Sequence, residues 1–239
     1  MASSSSGYLG TRYGAVGAVG RIALGLVGLL FAFQIVVRLL YRLVPTTWLV
    51  RLALTLDEPI RRQFLQPIVL ARRIGLKPGM RVLHLSPGDG SLTETLANSV
   101  GSGGRVEALA LDEDRLQKAR VYLTQVGLEN ASVAPGRGTH LPFEDESFDA
   151  VCLVSALGRI PDRAQALAEV RRVLRPAGRF SASDVISDPT YLLQTALEKL
   201  GESAGFEHLE HFGDVIAYTV NFRKPRASAG PPSESSARG

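Results

Sequence analysis

The 239-residue chain contains a single cysteine, Cys152, and four histidines. One thiol excludes an internal disulfide and any cysteine-only metal cluster. The histidines stand at 84, 140, 208 and 211, and no spacing among them supports a zinc site. No metal is expected, and the folded part reads as belonging to a reducing compartment. Internal repeats are absent. A basic folded region is absent too: residues 1–73 hold nine arginines against two acids, whereas residues 74–239 hold 18 basic and 21 acidic residues. Binding to nucleic acid needs basic residues around the folded site, so no such partner is expected. The excess lies instead beside a hydrophobic segment, which points to a membrane surface.

That segment is IALGLVGLLFAFQIVV (22–37), bracketed by Arg21 and Arg38. As a helix it spans roughly 24 Å, and its apolar flanks extend it toward the ~30 Å of a hydrocarbon core. The start MASSSSGYLG carries no early basic region, and no small-x-small site follows the run, so a retained anchor fits better than a cleaved signal, with a monotopic or buried hydrophobic helix as the other reading. Arginines 38, 42 and 51 downstream against 12 and 21 upstream place the C-terminal domain on the cytoplasmic side of a single-pass protein. Glycines at 10, 14, 17, 20, 25 and 28 give small-residue spacings that would support a helix-mediated homodimer, or reflect the ordinary tolerance of glycine in membrane helices. The expected organisation is a tail (1–14), a transmembrane anchor (15–44), interfacial and linker helices (45–74), a folded domain (75–225) and a disordered tail (226–239).

In the folded domain apolar strands alternate with amphipathic helices. Strands are expected at 81–86, 104–111, 131–136, 148–155 and 179–185, and helices at 57–75, 91–99, 112–127, 161–178 and 190–203. Asp112 suits an N-cap and Gly127 a helix stop. The last two strands, 206–212 and 214–224, are separated by little more than Gly213 and must be antiparallel. The expected fold is α/β, a doubly wound, mostly parallel seven-stranded sheet that ends in an antiparallel hairpin and follows an N-terminal transmembrane helix.

Within this frame VLHLSPGDG (82–90) is a strand running into a glycine turn. With GRVEALAL, DRLQKAR, LPFEDESFDAV and EVRRVLRPAGRF in that order, residues 75–224 resemble the class I S-adenosylmethionine (SAM)-dependent methyltransferases, in particular the branch acting on small molecules. A dinucleotide dehydrogenase would need a third glycine where Thr93 stands. The resemblance implies SAM as cofactor and a small or lipophilic methyl acceptor near the bilayer. The fourth strand ends in SALG (155–158), without the Asn/Asp-Pro-Pro-aromatic motif of nucleobase amino methylation.

SAM offers a sulfonium, an amino group, a ribose diol and an adenine amine, and the family surrounds them with acids. The resemblance puts the first acid at His84, the second at Ala110 and the third at Arg137, next to Gly138. All three acids are missing. The turn has Ser86 in place of a common glycine, then Gly88, Asp89 and Gly90. Asp112 reads either as a shifted ribose ligand or as an N-cap. Asp89 reads either as a ligand of the amino group or as a helix-start acid. A lost hydrogen bond to a charged partner costs roughly 1.5–3 kcal/mol, so two losses weaken binding by about a hundredfold or more. Two functions stay open: a membrane-anchored methyltransferase, and a non-catalytic scaffold on the same fold. No catalytic residue stands out. His140 reads as a base or a surface histidine, His208 and His211 as structural, and Cys152 as core.

Overall fold

The computed structural model describes residues 65–226, together with six single helical positions, Gly25, Gly28, Ala32, Ile35, Val36 and Leu39. The chain divides into two compact units, 1–57 and 58–239. Apart from those six positions, the expected tail, anchor and interfacial segment to residue 64 lie outside the described residues, as does the C-terminal tail from 227. No helix among the described residues is long and apolar enough to cross a membrane.

Seven strands form one sheet in the order β3-β2-β1-β4-β5-β7-β6. They are β1 (Arg81–Leu85), β2 (Arg105–Ala110), β3 (Ala131–Pro135), β4 (Phe148–Val154), β5 (Leu174–Val185), β6 (Glu207–Gly213) and β7 (Ala217–Arg223). Strands β1 to β5 pair in parallel, whereas β7 runs antiparallel to both β5 and β6. Helices α1 (Pro67–Ile74), α2 (Ser91–Val100), α3 (Glu113–Val126), α4 (Arg163–Val173) and α5 (Gln194–Ser203) cover it. The strand order reverses between β1 and β4, and open α/β sheets bind ligands beyond the strand ends at such a switch point.

Period-2 alternation divides the core between the two faces. Val82, Val106, Ala150 and Cys152 pack under Leu70 and Ile74 of α1 and Leu92 and Leu96 of α2. Leu83, Leu85, Val151 and Leu153 pack with Leu167 and Val170 of α4 and Leu197 of α5. Asp112 caps α3 by accepting a 2.9 Å bond from the Arg115 amide, and Gly127 ends it in the left-handed conformation.

The helices whose ends differ most from expectation are α1, α4 and α5. Residues 65 and 66 are not helical; α1 begins at Pro67, whose ring suits a first helical turn and biases Gln66 to the extended backbone it adopts. Helix α4 stops at Val173 rather than 178, because Pro176 disfavours helix before it, and Leu174 already pairs with Phe148. Helix α5 starts at Gln194, since Asp188 draws residues 188–190 into a turn by accepting from the Thr190 amide.

Candidate functional site

The turn after β1 is built by backbone. The Ser86 amide donates to the Leu109 carbonyl at 2.8 Å, tying the strand end to β2. Ser86, Gly88 and Gly90 all have positive φ, at 64°, 62° and 97°. Glycine suits such positions and serine pays for them, on the order of 1–2 kcal/mol. Gly90 is fixed doubly: a Cβ there would stand 3.1 Å from the Tyr122 ring and 3.3 Å from Ala119. Tyr122 in turn donates to Glu94 at 2.6 Å, bracing α2 against α3.

A cavity of about 910 Å³ opens at this turn, and His84, Ser86, Gly88 and Asp89 line it together with Leu70 and Val154. Gly90 closes the same turn at the N-cap of α2. Asp112, Arg137 and Gly138 do not reach this cavity. The structure thus brings the predicted β1 residues together and leaves those of β2 and β3 apart from them.

The side chains of His84, Asp89 and Asp112 each have a structural partner. His84 is buried, and its Nδ1 lies 2.9 Å from Thr93 Oγ1, joining β1 to α2. Burial pushes its pKa down to about 4, so the ring is neutral at physiological pH; its Nε2 has no hydrogen-bond partner among the described residues. Asp89 Oδ1 accepts from the Ser91 amide at 3.0 Å and the Ser91 hydroxyl at 2.7 Å. The Asp112 carboxylate takes both the Arg115 amide and the Arg115 guanidinium. Burial raises its pKa, opposed by the charges of Arg159 and Lys118. Ala110, at the end of β2, is buried. Arg137 is exposed, so its charge stays in water and adds no unpaired cation to the crevice. It opens a tight turn to His140, also exposed, and Gly138 sits where a Cβ would fall 2.4 Å from Ile160.

On the β5 side of the switch point the polarity is the reverse. Asp184 ends β5 and accepts from the Val185 amide at 2.9 Å and the Leu192 amide at 3.1 Å. Burial, then the neighbouring Asp188 charge, pushes its pKa up to about 7. Asp188 is fully buried and accepts from Arg159 at 2.6 Å, with Thr190 on its other oxygen. Ser155, at the end of β4, has φ 46°, and its amide donates to the Ser183 carbonyl. Sequence reasoning missed this cluster; the signal available was two acids four residues apart in DVISD, at the end of the fifth strand.

Whether these residues suit SAM has two answers. The turn's backbone suits it, because successive amides at alternating positive φ form a concave donor surface at a helix start. The side chains supply no carboxylate at the three expected positions, and Asp112 is the carboxylate that stands just past the end of β2.

The sequence model of the ubiE/COQ5 methyltransferase family matches residues 61–221. The demethylmenaquinone methyltransferase of Bacillus cytotoxicus is 34% identical over 121 residues, covering 51% of this chain and 51% of its own length. The ubiquinone/menaquinone biosynthesis C-methyltransferase UbiE of Teredinibacter turnerae is 34% identical over 125 residues, covering 52% and 50%. The chain thus spans about half the length of the curated relatives it matches. Among solved structures, a SAM-dependent methyltransferase from Aquifex aeolicus superposes with a TM-score of 0.65 at 22% identity, covering 72% of this chain and 96% of that one. The [4+2]-cyclase SpnF superposes at 0.61 and 18% identity, covering 67% and 80%, so the fold by itself does not fix a reaction. With the seven-strand order, the β1 turn and a family match spanning most of the folded domain, the chain belongs to the ubiE/COQ5 methyltransferase family of SAM-dependent enzymes.

Proposed function

We propose that this chain transfers a methyl group from SAM to a carbon of a small lipophilic acceptor of the quinone class. The family match over 61–221 carries the reading, and the names of the curated relatives supply the acceptor class. The turn 86–90 would seat the methionine end of the donor. Asp112 would accept the ribose hydroxyls by turning away from its cap, at a cost of about 1 kcal/mol. SAM, when bound, supplies an electrophilic methyl group. This chain positions the acceptor for in-line approach and keeps water out. Transfer to carbon releases a proton from the acceptor. Asp184, buried at the β5 end on the switch-point side and with its pKa raised by burial, is the base assigned to take it.

The run 22–37 supports a further part of the reading: a membrane anchor with the enzyme on the cytoplasmic face, beside a bilayer holding its acceptor. The test is transfer of labelled methyl from SAM to a demethylated quinol in vesicles by the full chain. Labelled product, lost in Asp184→Asn, supports it. No product at saturating SAM contradicts it.

A second reading, a scaffold on the same fold, is favoured by one specific observation. His84 is spent on Thr93 of the following helix α2, and Asp89 and Asp112 on neighbours at their own helix starts. Under that reading Ala110→Asp restores SAM binding to a chain that otherwise has none.

A further inference from the structure

Away from the switch point, at the far edge of the sheet, β6 carries His208 and His211. Three residues apart, they would face opposite ways in a regular strand. The pairing of β6 with β7 slips between them: His208 stands opposite Phe222, Glu210 opposite Asn221, and His211 opposite Val220. A bulge at Leu209 therefore brings both imidazoles to the face where Phe222 and Val220 meet the core under α5. There Glu198 of α5 projects between them. Its Oε1 lies 3.7 Å from His208 Nε2 and 3.6 Å from His211 Nδ1.

These separations are too long for good hydrogen bonds. Bonds of about 2.0–2.2 Å to a tetrahedral Zn²⁺ place neighbouring ligand atoms about 3.3–3.6 Å apart. One atom from each of the three residues falls within 4.8 Å of the others. Gln194 Nε2 donates to Glu198 Oε1 at 3.0 Å and holds the carboxylate in place, as residues behind metal ligands commonly do. The three side chains are 23%, 31% and 49% exposed for Glu198, His208 and His211, so an ion can enter and keep a water as fourth ligand. The His208 ring packs edge-on against Phe222 at 5.9 Å, which limits its rotation.

We propose that Glu198, His208 and His211 form a binding site for a divalent transition ion of the Zn²⁺ class, which clips α5 to the edge strand. This site is independent of the methyl donor and of the family reaction. The ligands are two neutral imidazoles and one carboxylate, borderline donors suited to Zn²⁺ rather than to Mg²⁺ or Ca²⁺. Binding bridges two elements of the folded state, so it raises the melting temperature and protects the β6 edge.

The experiment uses the full chain, stripped with a chelator, and titrates Co²⁺ as a visible probe and then Zn²⁺ as competitor. The expected result is a set of tetrahedral Co²⁺ bands saturating at one ion per chain, bleached by Zn²⁺, with a rise in melting temperature. His211→Gln, at a half-exposed position that leaves the fold intact by circular dichroism, abolishes the bands. Gln194→Leu keeps them but weakens binding by about tenfold. Absence of Co²⁺ bands in the unmodified chain overturns the proposal, and so does equal binding by His211→Gln.

Discussion

The two sides of the switch point differ in where they keep charge. At the ends of β1 and β2 stand a buried neutral histidine and an alanine, with the donor turn made of backbone. At the end of β5 stand two buried carboxylates and an arginine. A family that binds a cationic donor is expected to concentrate acids on the first side. Here they have gathered on the second, and Arg159 links the two sides: it pairs with Asp188, and its charge also opposes the rise that burial gives the Asp112 pKa. Binding frame and charge have thus become separable within one fold. Backbone geometry persists because the packing of Gly90 against Tyr122 and Ala119 holds it whatever the ligand does.

The largest effect expected from breaking this contrast comes at Arg159. Its replacement by alanine leaves Asp188 buried beside Asp184 without its cation, and a broken buried pair costs about 3–5 kcal/mol. Urea unfolding measures this, and a loss under about 1 kcal/mol would mean the pair is solvated. Next is Thr93→Val, which takes from buried His84 its hydrogen-bond partner. A loss of about 1–3 kcal/mol is expected from thermal unfolding, and a neutral outcome would show that His84 is not tied to α2.

The pH dependence of stability sets the same two sides against each other. His84 has its folded pKa depressed from 6.5 to about 4, so its contribution is present above 6.5 and is lost as pH falls toward 4. Asp184 has its pKa raised from 3.8 to about 7, so its contribution is present below 3.8 and is lost as pH rises through 7. Between about pH 4 and 6.5 the two slopes oppose and largely cancel. Asp184→Asn should expose the His84 slope, with stability rising by up to about 1.4 kcal/mol per pH unit. A flat profile in that variant would contradict the assignment. The smallest change expected is Asp112→Ala, about 1 kcal/mol for a lost N-cap.

Much of this was legible in the sequence because short-range rules governed it. The starts of β1 to β4, the Asp112 cap, the Gly127 stop and the glycine turn follow from side-chain period and local hydrogen bonding. The fold class followed from their order. Three features escaped for physical reasons. The end of α4 depended on Leu174 finding Phe148 across the sheet. Asp184 fell in the expected fifth strand and Asp188 in the gap after it, and only tertiary packing buries both. His208 and His211 looked unrelated because a bulge, which no spacing reveals, turns them to one face. The jobs of His84, Asp89 and Asp112 were also ambiguous in one dimension, since a cap and a ligand use the same carboxylate.

Under the proposed function, Asp112 stands in for the carboxylate missing at Ala110. Calorimetric titration of SAM into the full chain, with Asp112→Asn and Ala110→Asp beside it, tests it most directly. Binding by the unmodified chain, about tenfold or more weaker in Asp112→Asn and tighter in Ala110→Asp, is the predicted result. No binding by the unmodified chain, with binding gained only in Ala110→Asp, would contradict it and leave the fold of a methyltransferase without its donor.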